Sequence, residues 1–278
     1  MRLKISVSGV RGVVGETLTP RLLASFAQAF GTYVGQGRVL VGRDTRVSGP
    51  MVSDAVVAGL LATGCTPVDL GVVPIPALML RCAGRSDVRG GVAVTASHNP
   101  AEWNALKLLS RRGLFLNHMQ ANALLDIYHQ GTFRRVGGQE VSRPEYDEDA
   151  VEAHLDAVLS EVDVAAIRRA GLAVAVDCVN GAGAEATPRL LSRLGCKVVR
   201  IGCQPSGHFH RPPEPVPQNL EQLSKAVERG PDLQVGFAQD ADADRLALVD
   251  GSGRALSGDV MLAVLVDLVL RRRKGPVV

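Results

Sequence analysis

Two parts of the sequence repeat the same order of a short apolar run, a helical pattern and a second short apolar run. In the first part, residues 37–46 end in polar side chains, residues 50–64 have helical spacing, and residues 65–71 form the second run. The same order recurs within residues 171–202. Continuously apolar runs indicate β-strands that are covered by helices on both faces. The repeat therefore predicts an α/β fold of βαβ-type domains with mixed, mostly parallel sheets.

The length and one stretch rich in glycine, proline and charge predict how these units are divided. The 278 residues exceed the usual length of one domain, which is about 100–200 residues. The apolar pattern is lost over residues 131–155, so we expect a boundary near residue 142. Residues 276–278 read as the opening of a strand that is cut short, or else as a frayed natural C-terminus. The predicted domains are 1–141, 142–252 and the start of a third, 253–278.

The composition excludes several classes of protein. A hydrophobic content of 46% excludes disordered and fibrous chains, and a net charge of +3 with 4% aromatic residues does not favour nucleic acid as a partner. The longest apolar stretch, residues 260–270, is short and contains Asp267, so no membrane segment is expected. The five cysteines are widely spaced, which favours reduced thiols. We expect a cytoplasmic protein, and its oligomeric state stays open.

Polar residues follow an apolar strand in "GGVAVTASHNPAEWNALKLL", residues 90–109. This strand carries Thr95, Ser97 and His98 to its carboxyl end, where α/β sheets bind ligands. Pro100 disfavours a helical conformation of the residue before it, so the Ser97 hydroxyl is predicted to stay exposed. A turn or helix cap is the alternative, because serine and asparagine in loops commonly have that role.

Three aspartates, Asp240, Asp242 and Asp244, follow another apolar strand in "QDADADRLALVD". In an extended chain alternate residues lie ~6.6–6.8 Å apart, so the loop must curl to bring the carboxylates together. Their mutual repulsion calls for a cation, and ligands that are all oxygens favour magnesium. An EF-hand is excluded, because Arg245 and Gly251 occupy the positions of its glycine and glutamate. An aspartyl-phosphate nucleophile at Asp240 and a solvated acidic turn remain as alternatives.

Together the two loops suggest one hypothesis, in which a serine carrying a phosphoryl group faces a magnesium ion held by the three aspartates. Serine is a poor nucleophile without a base, but phosphoserine is a phosphoryl donor. Phosphoryl transfer needs neutralisation of charge more than covalent assistance. Magnesium on a phosphate oxygen provides it as a Lewis acid.

The segments TASHNPAEWNALK, DADADR, SGVRG, GRDTR and PPEPVPQNL resemble the N-terminal portion of the α-D-phosphohexomutase superfamily, which comprises phosphoglucomutase, phosphomannomutase and phosphoglucosamine mutase. The resemblance covers essentially the whole chain. It implies an intramolecular phosphotransferase of the isomerase class that interconverts hexose 6-phosphate and hexose 1-phosphate of glucosamine, mannose or glucose. The implied partners are the hexose phosphate and the hexose bisphosphate intermediate.

The resemblance also assigns roles to individual residues. Ser97 is implied to be the phosphoserine and, with the three aspartates, to bind one Mg²⁺ per chain. Lys107 is implied as general acid or base, and burial beside magnesium is expected to lower its pKa enough for proton transfer. The implied catalytic set is Ser97, Lys107, Arg11, His98 and Arg245, in which the two arginines stabilise charge and His98 is an alternative base or orients its neighbours. Arg43 and Asp44 are expected to hold their loop together rather than to react.

The sequence has no counterpart of the family's sugar-recognition loop or of its phosphate-clamping loop. The preferred hexose therefore stays open. A second hypothesis follows, in which the chain is a truncated, catalytically inactive module that binds magnesium.

Overall fold

The computed structural model describes residues 3–6, 9–272 and 274–276, and the strands within them form two sheets. The first sheet has the order β1-β2-β6-β5-β3-β4-β7, and the second has the order β11-β10-β8-β9. The strands are β1 (Lys4–Ser6), β2 (Gly9–Val13), β3 (Gly37–Arg43), β4 (Cys65–Val72), β5 (Val88–Val94), β6 (Trp103–Ser110), β7 (Glu145–Tyr146), β8 (Ala173–Asp177), β9 (Lys197–Ile201), β10 (Val235–Gln239) and β11 (Leu246–Asp250).

Helices connect most of these strands. They are α1 (Pro20–Val34), α2 (Gly49–Leu61), α3 (Ile75–Ala83), α4 (His118–Gln130), α5 (Ala150–Ser160), α6 (Val164–Ala170), α7 (Gly183–Arg193), α8 (Glu221–Arg229) and α9 (Gly258–Arg272). Local sequence sets their ends. The side chain of Asn117 accepts from the backbone of Gln120 and the Gln120 side chain accepts from the Asn117 backbone, which makes a capping box at the start of α4. Gly131 ends that helix in the left-handed conformation.

Both sheets are mixed and mostly covered on two faces. In the first, β3 is parallel to β4 and β5, whereas β6, β2 and β1 are added in antiparallel order. One apolar cluster packs α1, α2 and α4 on one face, and a second packs α3 and the start of α5 on the other. In the second sheet α8 covers one face and α7 the other. The predicted fold class is confirmed.

Two glycines of β5 allow helices to approach the centre of the first sheet. A Cβ atom on Gly91 would lie 2.7 Å from the Cys82 sulfur in α3, and one on Gly90 would lie 2.9 Å from the Phe30 ring in α1. Such distances are too short for carbon, so any larger residue would push the helices away from the sheet. The glycine pair thus keeps β5 close-packed directly before the serine loop, which comprises residues 95–102.

The predicted βαβ units match β3-α2-β4 and β8-α7-β9. The division into three domains stays a prediction, and β7 indicates that the first unit extends past residue 142, because β7 pairs with β4. Of the predicted last strand, residues 277–278 lie outside the described residues, and residue 276 has no regular structure. None of the helices in the described part of the chain is long and apolar enough to cross a membrane.

Candidate active site

Ser97 lies at the carboxyl end of β5, three residues after Val94. Its φ angle is +51°, a left-handed conformation that costs a residue with a side chain roughly 1–2 kcal/mol. The prediction of an exposed hydroxyl is wrong, because only 5% of Ser97 is accessible. The loop that contains the three aspartates covers it, so the hydroxyl faces the second sheet's loop instead of solvent.

The second loop connects β10 to β11 and curls as the spacing of its aspartates requires. Asp240 and Asp242 are buried and Asp244 is exposed, with one carboxylate oxygen of each within 4.8 Å of the others. Ala243 takes a positive φ of 57°, which turns the backbone between the last two aspartates. We refer to Asp240, Asp242 and Asp244 as the carboxylate cluster.

The two loops meet, although 143 residues separate their facing side chains. Ser97 Oγ donates a hydrogen bond of 2.6 Å to Asp240 Oδ2. The backbone amide of Ile75, at the start of α3, donates to the Asp242 carbonyl at 3.0 Å. Thr45 Oγ1, after β3, donates to the Asn180 carbonyl, after β8, at 2.8 Å. The carboxyl ends of strands from both sheets therefore share one site.

Lys107 reaches the carboxylate cluster from β6. Its Nζ lies 2.7 Å from Asp242 Oδ2 and 3.4 Å from Asp244 Oδ2. Burial acts to lower the pKa of Lys107, but the charges and hydrogen bonds of the two carboxylates outweigh it and raise the pKa. From the sequence, burial beside magnesium was expected to lower the pKa of Lys107. The structure gives the opposite direction, because the Asp242 and Asp244 carboxylates stabilise the ammonium group.

The carboxylate cluster carries more negative charge than its surroundings compensate. Burial, reinforced by the charge of Asp242, raises the pKa of Asp240 to about 8. Burial also opposes ionisation of Asp242, but the Lys107 ammonium outweighs it and lowers the pKa of Asp242. Asp242 Oδ1 is buried and has no hydrogen-bond partner within the described residues. An unpartnered buried oxygen in a set of oxygen-only ligands fits a hard divalent cation such as Mg²⁺.

The remaining predicted residues surround this point. Arg245 donates its backbone amide to Asp240 Oδ1 at 3.2 Å, and its guanidinium pairs with Glu214 at 3.3 Å. His98 Nδ1 lies 3.5 Å from Ser97 Oγ, and burial together with the Arg245 charge lowers the pKa of His98. Arg11, in β2, lines a cavity of about 70 Å³ with Lys107. Of the predicted catalytic residues, Lys107, His98 and Arg245 therefore border the serine or the carboxylate cluster, and Arg11 lies beside Lys107.

Sequence reasoning missed Arg46, which follows Asp44 in GRDTR. Its side chain is fully buried and pairs with Asp44 at 2.9 Å, whereas within the described residues the Arg43 side chain bonds only to the neighbouring Asp44 carbonyl, at 3.5 Å. The loop-holding role expected of Arg43 thus belongs to Arg46 in this structure. Its position in the sequence could have indicated this role, because GRDTR ends β3 at the same sheet edge where Ser97 follows the neighbouring strand β5.

Residues 2–135 match the family described as phosphoglucomutase/phosphomannomutase, alpha/beta/alpha domain I, and residues 152–253 match domain II of the same family. The chain is 40% identical over 274 residues to a phosphoglucomutase/phosphomannomutase of Thermococcus kodakarensis, covering 96% of this chain and 59% of that protein. It is also 40% identical over 270 residues to a probable phosphoglucosamine mutase of Methanopyrus kandleri, covering 97% of this chain and 58% of the relative.

Solved structures agree with these matches. A phosphoglucomutase/phosphomannomutase family protein from Burkholderia thailandensis superposes with a TM-score of 0.83 at 30% identity, over 97% of this chain and 60% of that one. A putative phosphomannomutase from Thermus thermophilus gives 0.86 at 27% identity, over 97% and 62%. The chain thus spans about three-fifths of the length of the relatives it matches. It belongs to the phosphoglucomutase/phosphomannomutase family of the phosphohexomutase superfamily, of which it represents the N-terminal portion.

Proposed function

We propose that this chain carries the phosphoryl-transfer half of a phosphohexomutase, with Ser97 as the phosphoryl carrier. The observation that supports this most directly is the 2.6 Å hydrogen bond from Ser97 Oγ to Asp240. It joins the serine hydroxyl at the end of β5 to a cluster of carboxylates that would otherwise repel one another. A serine used only to cap a turn has no need of that partner.

The metal in this proposal is one Mg²⁺, which the carboxylate cluster and the phosphate on Ser97 would hold. When bound, it withdraws charge from the phosphoryl group as a Lewis acid. Lys107 then loses part of the carboxylate charge that raises its pKa, which favours release of a proton. Arg11 and Arg245 supply positive charge beside the transferred group.

The reaction that we infer has two transfers. In the first, the bond between Ser97 Oγ and phosphorus breaks and a bond forms to a hydroxyl oxygen of the hexose phosphate. Lys107 or His98 takes the proton of that hydroxyl, and the same group or solvent water returns a proton to Ser97 Oγ, so no net proton is gained or lost. The restored hydroxyl then donates the hydrogen bond to Asp240 that the unphosphorylated chain shows. After the bisphosphate reorients, the second transfer returns its other phosphoryl group to Ser97. The net change moves phosphate between O6 and O1, and glucose, mannose and glucosamine phosphates are the candidate substrates.

Intact mass spectrometry with peptide mapping tests the carrier. We expect incubation with glucose 1,6-bisphosphate and Mg²⁺ to add one phosphate to Ser97 and none in S97A. Phosphate on another residue, or none on the wild type, would contradict the proposal. Assaying the 1-phosphates of glucose, mannose and glucosamine then separates an active mutase from the alternative of an inactive module that only binds magnesium.

A further inference from the structure

We propose that Asp44, Thr95 and Arg46 form a clamp that positions Ser97, holding its backbone in the left-handed conformation that places Oγ on the carboxylate cluster. These residues bond to the backbone of Ser97, whereas its Oγ contacts Asp240 and His98, so they are positioning residues. The inference rests on the proposed function for its kinetic consequence. Its structural consequence, the conformation of Ser97, is tested separately.

The clamp binds both the backbone amide and the backbone carbonyl of Ser97, and the ion pair between Asp44 and Arg46 connects these two contacts. The Ser97 amide donates to Thr95 Oγ1 at 2.9 Å, and that hydroxyl donates to Asp44 Oδ2 at 2.7 Å. Asp44 Oδ2 also accepts from Arg46 Nε at 2.9 Å, and Arg46 Nη2 donates to the Ser97 carbonyl at 2.7 Å. The hydrogen bonds form a closed circuit that begins and ends on Ser97.

Side chains, rather than the backbone of the loop, hold this conformation. In the described part of the chain, neither the amide nor the carbonyl of Ser97 bonds to another backbone group. A left-handed residue other than glycine persists only where its surroundings impose it. Because all three clamp side chains are buried, their hydrogen bonds do not compete with water.

Arg46 extends the same control along the loop. Its Nη2 donates to the carbonyl of Asn99 at 2.7 Å, and its Nη1 donates to those of Pro100 at 2.5 Å and Trp103 at 3.0 Å. Only the planar fork of a guanidinium presents donors in so many fixed directions, and a lysine ammonium does not. The carbonyls of residues 97, 99, 100 and 103 therefore take their positions from one side chain.

The clamp also contacts the unit that carries the carboxylate cluster. The Phe209 ring lies 5.1 Å from Arg46 Cζ, and Thr45, between the two charged residues of the clamp, donates to the Asn180 carbonyl. A Cβ on Gly207 would lie 2.1 Å from the Thr45 carbonyl oxygen, so the backbone at Gly207 directly contacts the backbone at Thr45. Ser97 is thus fixed by its backbone against the same unit that its hydroxyl faces.

Thr95→Val tests the clamp with the least risk to folding, because valine has the shape of threonine without the hydroxyl. We expect phosphorylation of Ser97 by glucose 1,6-bisphosphate at saturating Mg²⁺ to slow about 100-fold, the usual effect of a misplacement near 1 Å. Thr95→Ser restores the hydroxyl and should recover most of the rate. R46K, which keeps the charge but loses the fork, should behave like T95V.

The matched control is R81K. Arg81 pairs with Asp147 through two bonds of 2.7 and 3.0 Å, contacts none of the loop carbonyls, and should leave the rate unchanged. The independent readout is NMR of the chain labelled at serine, where T95V and R46K should shift the Ser97 amide and Cβ resonances and R81K should not.

Wild-type rates in T95V and R46K would overturn the inference, whether or not the resonances move. A T95S variant as slow as T95V would also overturn it, because the bridging hydroxyl is what the clamp requires. If the wild type accepts no phosphate, the proposed function fails while the resonances still decide the clamp. In that case, unshifted Ser97 resonances in T95V and R46K would refute the clamp, and shifted resonances would support it.

Discussion

Replacing Asp240 by asparagine is expected to stabilise the metal-free chain and to abolish its stabilisation by magnesium. The buried Asp240 carboxyl has its pKa raised from 3.8 to about 8 by burial and by its neighbours' charge. The folded state therefore binds a proton that the unfolded state releases between those pH values. The free energy of unfolding therefore falls as the pH rises through this window. Above about pH 8 Asp240 is ionised in the folded chain and is repelled by the neighbouring carboxylates.

The magnitude follows from the spacing of the carboxylate cluster. Two unit charges 4.8 Å apart repel by about 3.5 kcal/mol at an effective dielectric constant near 20. Lys107 compensates the other two aspartates, and the cation paired with Asp240 in the described residues is Arg245, whose Nε is 4.0 Å from Asp240 Oδ2 and whose exposed side chain is screened by solvent. The asparagine would weaken the charged hydrogen bonds from Ser97 and the Arg245 amide by about 1–2 kcal/mol. The net gain for D240N is about 2 kcal/mol, or roughly 4–8 °C in melting temperature.

Thermal melts at pH 9, with EDTA and with excess Mg²⁺, measure both effects. Magnesium at 100 times its Kd should stabilise the wild type by about 2.7 kcal/mol, and D240N by much less. D232N is the control, because Asp232 is exposed and lies outside the carboxylate cluster. The electrostatic reasoning would be refuted if D240N melted at a lower temperature than the wild type in EDTA. It would also be refuted if Mg²⁺ raised the melting temperature of D240N as much as that of the wild type.

Three further outcomes are expected. K107M should lower the free energy of unfolding of the metal-free chain by about 2 kcal/mol in urea titrations, since it removes a charged hydrogen bond to the carboxylate cluster. It should also slow phosphorylation of Ser97 by glucose 1,6-bisphosphate at least ~100-fold. G207A should destabilise the chain far more than G131A, because both glycines have positive φ but only Gly207 has a backbone oxygen, that of Thr45, where the Cβ would lie. NMR titration of His98 should give a pKa below 6.5, because burial and a nearby arginine disfavour its protonation; a value above 6.5 would contradict that environment.

The sequence was sufficient to predict the sheets and the strands that supply the two loops. An apolar run that stops at a polar residue indicates both the strand and its carboxyl end, so Ser97 and Asp240 could be placed before their contact was known. The curl of the carboxylate loop also followed from local geometry, because an extended chain cannot bring its alternate carboxylates together.

Burial at the site could not be predicted in this way. Ser97 was expected to be exposed because Pro100 keeps its loop out of a helix, but the residue that covers the hydroxyl lies 143 positions later in the chain. Arg46 was missed for a related reason, since a single arginine in a loop is ordinarily a surface residue. Only the four carbonyls converging on it, from residues 97 to 103, reveal why it is buried.

The burial of Ser97 and that of Arg46 have the same physical origin, which is contact between segments that are distant in the sequence. Ser97 is held in an unfavourable conformation because Asp44, Arg46 and Thr95 compensate for it, and the charge of the carboxylate cluster is stable only if a cation compensates it. The clamp contacts only the uncharged backbone groups of Ser97, and the charges of Arg46 and Asp44 compensate each other at 2.9 Å, whereas the repulsion in the carboxylate cluster changes with every gain or loss of positive charge. The serine position is therefore expected to stay fixed through the reaction while the electrostatics around it change, which is the arrangement that phosphoryl transfer requires.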